Sequence, residues 1–134
     1  MINQIQKVSI KALFCDQGRI LMMQEKDGSW ELPGGKVEFG EHPRDTLKRE
    51  LGEELSMSNF TIGEVVDVWD FTRAFPDTEY HFVIVIFECT APEYKIVVSD
   101  EHVGYKWLDL AEIETFPMKD GFRTALVKYL NNKK

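Results

Sequence analysis

Cysteine is scarce in this chain, with only Cys15 and Cys89 among 134 residues. Two thiols make neither a disulfide framework nor a zinc site. Each lies inside an apolar, strand-like run, so both read as reduced core residues. Long hydrophobic stretches are missing as well, and none approaches the ~20 apolar residues of a membrane span. The opening Met1–Lys7 stretch has no apolar core of a secretory signal. The expected location is cytoplasmic, with no membrane partner. Clustered positive charge is also absent. The 16 Lys and Arg are scattered among 23 Asp and Glu, for a net charge of −7. That argues against a nucleic-acid polymer as partner, because such proteins need a basic stripe to neutralise phosphates. A small polyanion carried in with metal ions stays compatible. No repeat, low-complexity tract or linker interrupts the sequence, so residues 1–134 read as a single domain.

What is present is a run of strands with helices set between them. Gln6–Phe14 and Arg19–Gln24 read as strands joined by a hairpin turn at Asp16-Gln17-Gly18. After the loop Lys26–Ser29 comes the short segment Trp30-Glu31-Leu32, and Pro33-Gly34-Gly35 breaks regular structure. Pro43 suits a first helical turn, which predicts a helix over Arg44–Leu55. Ile62–Thr72 and Glu79–Thr90 are strand-rich, separated by the turn Phe75-Pro76-Asp77-Thr78. Within the second, Phe82–Phe87 is apolar throughout, as in a central strand covered on both faces. Tyr94–Val98 and Gly104–Leu108 read as further strands, and Gly121–Asn131 as a closing amphipathic helix. The fold class is α+β, with a mixed sheet packed between helices.

The segment Arg49-Glu50-Leu51-Gly52-Glu53-Glu54 is poorly built for stability alone. Glu50, Glu53 and Glu54 stand at i, i+3 and i+4, which puts like charges on one helix face at a cost of ~0.2–0.5 kcal/mol per pair. Glu53 and Glu54 also approach the helix C-terminus, where the macrodipole disfavours anions. A divalent cation reverses both penalties, since hard cations gather carboxylate oxygens. Arg49 is placed to hold one carboxylate as a supporting partner. A solvated acidic face with one salt bridge fits the same residues. The glycines before the helix let a backbone approach a ligand closely, although a tight turn without a ligand uses them too. Glu41 adds a fourth carboxylate, and Lys36 is available to phosphate.

Together these residues resemble the Nudix box: Gly, five of any residue, Glu, seven of any, Arg-Glu-aliphatic, any, Glu-Glu, any, Gly-aliphatic. Here it runs from Gly35 through Glu41, Arg49, Glu50, Leu51, Glu53 and Glu54 to Met57, and Trp30-Glu31-Leu32-Pro33-Gly34 is similar to the family's approach to the box. The order of strands and helices is similar along essentially the whole chain. One position departs, Ser56 where the family has glycine. A left-handed residue ends helices there, so serine costs roughly 1 kcal/mol or the helix ends differently.

The resemblance implies a Nudix-like α/β/α sandwich and Mg²⁺-dependent hydrolysis of a phosphoanhydride, with Mn²⁺ able to substitute. By position it implies Glu50, Glu53 and Glu54 as metal ligands, helped by the Gly34 carbonyl. Arg49 orients a glutamate and Lys36 steadies the site. Glu101, six residues before Trp107, matches a further metal ligand or base of the 8-oxo-dGTP-hydrolysing branch, and it fits an ordinary loop carboxylate equally well. Glu50 is the first choice of general base, with Glu53 or Glu101 as alternatives.

The motif fixes the reaction and leaves the substrate open. Phe75-Pro76-Asp77 and Phe116-Pro117 resemble the nucleotide-pool sanitising branch, and Asp120 stands near that branch's base-reading position. Asp120 fits a cap of the last helix as well. Against this branch, a basic residue it carries near Leu21–Glu25 is replaced here by Gln24-Glu25. Trp69, Phe71, Phe75 and Tyr80 are candidates for a base-stacking wall, though aromatic residues on strands are more often core. His81 and His102 lack metal-ligand spacing and read as incidental. The leading substrate is a nucleoside triphosphate cleaved to monophosphate and pyrophosphate; ADP-ribose or a nucleotide sugar is the alternative. A Nudix-fold binding module without hydrolysis is disfavoured because its box glutamates would be expected to be lost. An enzyme of this kind is expected to act on small molecules as a monomer or homodimer.

Overall fold

The computed structural model describes residues 1–133. Strand β1 (Asn3–Asp16) organises the sheet. One edge pairs in parallel with β6 (Thr78–Thr90) from Asn3 through Phe14. Its other edge takes β4 (Gly34–Lys36) and then, at Cys15 and Asp16, β2 (Arg19–Gln24). The turn between β1 and β2 is Gln17-Gly18, both at positive φ, the backbone twist that two-residue hairpins favour. On the far side of β6 lies β5 (Thr61–Ala74), antiparallel. Strand β2 continues outward to β3 (Trp30–Glu31) and β7 (Gly104–Leu108), completing a mixed seven-stranded sheet.

Strand alternation explains why these strands are apolar on both faces. Leu13, Ile20, Met22, Ile84 and Ile86 point to one side, under α2 (Leu110–Thr115) and α3 (Asp120–Asn132), where they meet Ile113, Phe122, Ala125 and Leu126. Ile10, Ala12, Phe14, Leu21, Met23 and Phe87 point to the other, against Leu47, Leu51 and Leu55 of α1 (Pro43–Leu55). Helices therefore cover both faces, giving the expected α/β/α sandwich. The three α1 leucines, fully buried at i, i+4 and i+8, fix which face of the helix turns inward. Truncating one to alanine costs about 2–5 kcal/mol.

Helix α1 starts at His42, whose Nδ1 accepts from the Arg44 amide at 3.1 Å, with Pro43 in the first turn. It ends at Ser56, held left-handed at φ 57°. The Ser56 and Met57 amides turn back onto the carbonyls of Gly52 and Leu51. The expected strand Tyr94–Val98 is a correction: the segment has no regular strand. Its alternation is real, since Tyr94, Ile96 and Val98 pack on the α1 core. The backbone is engaged elsewhere, with the Val97 and Ser99 amides bonding to the Leu55 and Glu54 carbonyls at the helix end. Of Pro33-Gly34-Gly35, read as a break, the two glycines join the sheet in β4, and the short α2 was not foreseen. Cys15 and Cys89 are both free thiols, the latter buried. No helix among the described residues is long and apolar enough to cross a membrane.

Candidate active site

Strand β4 brings Gly34 and Gly35 against β1 on one side and α1 on the other. Gly34 sits at φ 137°, and a β-carbon there would run into the Ile10 carbonyl. At Gly35 the space a β-carbon would fill is taken by the Glu50 carboxylate. The Gly34 amide donates to Glu54 Oε2 at 2.9 Å. Two glycines thus let a strand approach closely enough for its backbone to meet two glutamates of the helix.

Arg49 is the hub of the helix face. Its guanidinium grips Glu41 through Nε and Nη2 at 2.9 and 3.1 Å, the two-point geometry suited to carboxylates. Nη1 reaches Glu50 at 2.9 Å and lies 3.6 Å from Glu53, while Nη2 also donates to the Lys36 carbonyl. The hydrogen bonds from Arg49 hold the Glu41 carboxyl down near 2. Arg49 therefore ties α1, the preceding loop and β4 together.

These elements wall a cleft of about 450 Å³. Of the sequence candidates, Gly34, Lys36, Glu50, Glu54 and Glu101 line it. Glu53 does not; its side chain is 63% exposed and leans on Arg49. Glu54 is almost wholly buried, and burial pushes its carboxyl up to about 7. Asp120, Phe75 and Tyr80, expected near a base, stand outside the cleft and need correcting. Helix α3 is preceded by Lys119 at the cap position, and Asp120, its first residue, projects into solvent beside Arg123. It provides no side-chain cap either. Phe75 and Tyr80 sit edge to face toward the β5–β6 turn, at the outer end of an aromatic row. That row runs from Tyr80 through Phe82 and Phe71 to Trp69. Only Phe71 and Phe82 of it reach the cleft, joined there by Phe122 and Lys119. The Lys36 and Lys119 ammonium groups lie over the Phe82 and Phe71 rings, at 5.4 and 5.2 Å.

Sequence reasoning missed a polar cluster in the same cleft. Lys11, only 6% exposed, donates to Glu31 at 3.1 Å and reaches toward the Gly34 carbonyl at 3.5 Å. Burial works against its charge, but the Glu31 and Glu54 carboxylates outweigh it and hold the ammonium above the ordinary lysine value. Burial likewise presses Glu31 upward, and Lys11 outweighs it, leaving that carboxyl near 2. For Glu25 burial and then the Glu31 carboxylate outweigh Lys11 and push it up to about 8. His102, read as incidental, is buried in the wall with its pKa lowered by burial. The signal for Lys11 was available: a lysine amid Ile10, Ala12, Leu13 and Phe14 is costly to bury unless paired.

Comparison with known proteins places the chain in a family. The NUDIX domain family model matches residues 6–129. The chain belongs to the Nudix family. Among curated relatives it is 30% identical, over 74% of either chain, to the nucleoside triphosphatase NudI of Salmonella newport. Among solved structures the Nudix fold recurs in the MutT protein of Methanosarcina mazei, with a TM-score of 0.81 at 21% identity, covering 100% of this chain and 99% of that one. The dihydroneopterin triphosphate pyrophosphohydrolase of E. coli overlays with a TM-score of 0.73 at 25% identity, covering 96% and 99%. A Nudix hydrolase is thus the enzyme class of this chain, and the box glutamates intact in its sequence agree with that class.

Proposed function

We propose that this Nudix hydrolase cleaves a nucleoside triphosphate to the monophosphate and pyrophosphate, with Mg²⁺ held by Glu50, Glu54 and the Gly34 carbonyl and completed by Glu101 and by Glu53 once its side chain turns from Arg49 into the cleft. The single observation that carries this reading is the make-up of one cleft, in which box carboxylates, three lysines and three phenylalanines meet. The donor set suits the ion, since Gly35 has no β-carbon where the Glu50 carboxylate lies, and hard cations prefer clustered oxygens. When bound, such ions neutralise the diphosphate and stabilise the leaving oxygen.

The chain's own groups do the rest. Lys36 and Lys119 draw the polyphosphate into the cleft, and Phe71, Phe82 and Phe122 offer apolar faces to a base. Glu50, fixed by Arg49, takes the proton from the attacking water as phosphorus is substituted. The likeness to NudI, named a nucleoside triphosphatase, supports a triphosphate over ADP-ribose or a nucleotide sugar. The net charge of −7 fits a small substrate brought in with cations, in the cytoplasm, by a monomer or homodimer.

The test is a panel of nucleoside triphosphates, ADP-ribose, nucleotide sugars and dinucleoside polyphosphates with Mg²⁺, products resolved by chromatography. A triphosphate should give the highest kcat/KM, and Glu50→Gln should lower kcat by about 10²–10⁴-fold. ADP-ribose or a nucleotide sugar outpacing every triphosphate would overturn the substrate.

A further inference from the structure

We propose that Glu25, Glu31 and His102 form a second cation site in the cleft, for a divalent transition-metal ion of the zinc type, separate from the oxygen ligands of the box helix. One ligand atom from each lies within 4.8 Å of the others. They come from three places: the end of β2, strand β3, and the loop before β7. The pairing of β2 with β3 and β7 brings those places together.

The carboxylates alone would not make a site. The decisive side chain is His102, which is 6% exposed. Its Nε2 faces the carboxylates, 3.4 Å from Glu25 Oε1 and 3.9 Å from Glu54 Oε1. Its Nδ1 is buried without a hydrogen-bond partner. A buried imidazole is normally satisfied by protein or water; here Nδ1 has no such partner, and Nε2 is the nitrogen turned toward the carboxylates. Charge leads to the same ion. Glu25, Glu31 and Glu54 gather three carboxyl groups around one buried ammonium, that of Lys11, a setting that takes up further positive charge.

The donor types decide which ion. The box offers oxygen alone, suited to Mg²⁺. One imidazole nitrogen with two carboxylates suits zinc-type ions, and fewer than four protein ligands leave positions open. A tetrahedral ion holds its donors roughly 3.3 Å apart, so the three groups need only close inward by side-chain rotation. Lys11 keeps one Glu31 oxygen at 3.1 Å, and the second oxygen serves the ion. Glu54 stands between the two sites, bonded to the Gly34 amide on one side and facing His102 on the other.

The experiment uses the full chain, stripped of metal and then saturated with Mg²⁺, titrated with Co²⁺ while visible absorption and heat are recorded. Wild type should bind Co²⁺ with d–d bands that persist in excess Mg²⁺. His102→Gln and Glu31→Gln should each weaken that binding at least tenfold, and Mg²⁺ binding should persist in both. On the unmutated protein, Zn²⁺ should shift the ring ¹⁵N resonances of His102, which reads the site even where a variant fails to fold. Co²⁺ binding unaltered by either substitution, or His102 resonances unmoved by Zn²⁺, overturns the proposal. None of these readouts depends on nucleotide hydrolysis, so failure of the proposed substrate would show separately.

Discussion

The Glu50 carboxylate occupies the volume that a β-carbon on Gly35 would need. A strand and a helix thus meet with one residue giving up its side chain so that the other can place its carboxylate. Gly35 has an ordinary φ, so its substitution acts through this contact and not through backbone strain. Gly35→Ala should displace the carboxylate and lower kcat by on the order of 10²-fold while the melting temperature changes little. A variant with full activity would show that Glu50 works from another position.

Ser56 holds the left-handed conformation that closes α1, and its hydroxyl gains only a 3.5 Å approach to the Val97 carbonyl. Ser56→Gly should raise stability by up to about 1 kcal/mol with activity retained. Urea unfolding checks this; a loss of stability would mean that the Val97 contact outweighs the strain.

The mouth of the cleft carries Lys119, and Asp120 points away. Lys119→Ala should raise KM for a triphosphate roughly ten- to a hundredfold, the scale of one charge-assisted hydrogen bond. Asp120→Ala should leave the ranking of nucleotides unchanged. Steady-state kinetics over several bases separates the two, and a base-dependent loss in Asp120→Ala would restore it as a reader.

Without metal, the folded pKa of Glu25, about 8, and of Glu54, about 7, both exceed the ordinary 4.5. Between these values the folded chain binds more protons than the unfolded chain, so stability falls as pH rises through that window. Urea midpoints in a chelator should decline from about pH 5 to pH 8, and Glu25→Gln should flatten the slope. Added divalent cation should raise the midpoint more at the upper end. A slope unaltered in Glu25→Gln would assign the effect to other groups.

Much of this was legible in the residues. The alternation of Leu13, Ile20 and Ile84 against Ala12, Leu21 and Phe87 carries the two-sided sheet, and the spacing of Glu50 and Glu54 carries their meeting in the cleft. Legibility failed where tertiary contact overrode a local pattern. Tyr94–Val98 has strand periodicity, yet its amides are taken by the carbonyls ending α1. Glu53 shares the helical spacing of its neighbours, yet its side chain lies beside Arg49 and outside the residues that line the cleft. His102 is distant in sequence from Glu25 and Glu31, and the pairing of β2 with β3 and β7 makes the three neighbours.

Lys11, pressed between Glu31 and the Gly34 carbonyl, acts as a counter-ion that cannot be diluted away. Chelators strip free cations from an acidic cleft, but a charge on the backbone's own tether stays. The carboxylates can therefore assemble before any ion arrives, and the ion meets a shaped receptacle. In small zinc domains the free energy of metal capture is consumed in folding; a receptacle assembled beforehand would leave it for gripping phosphate.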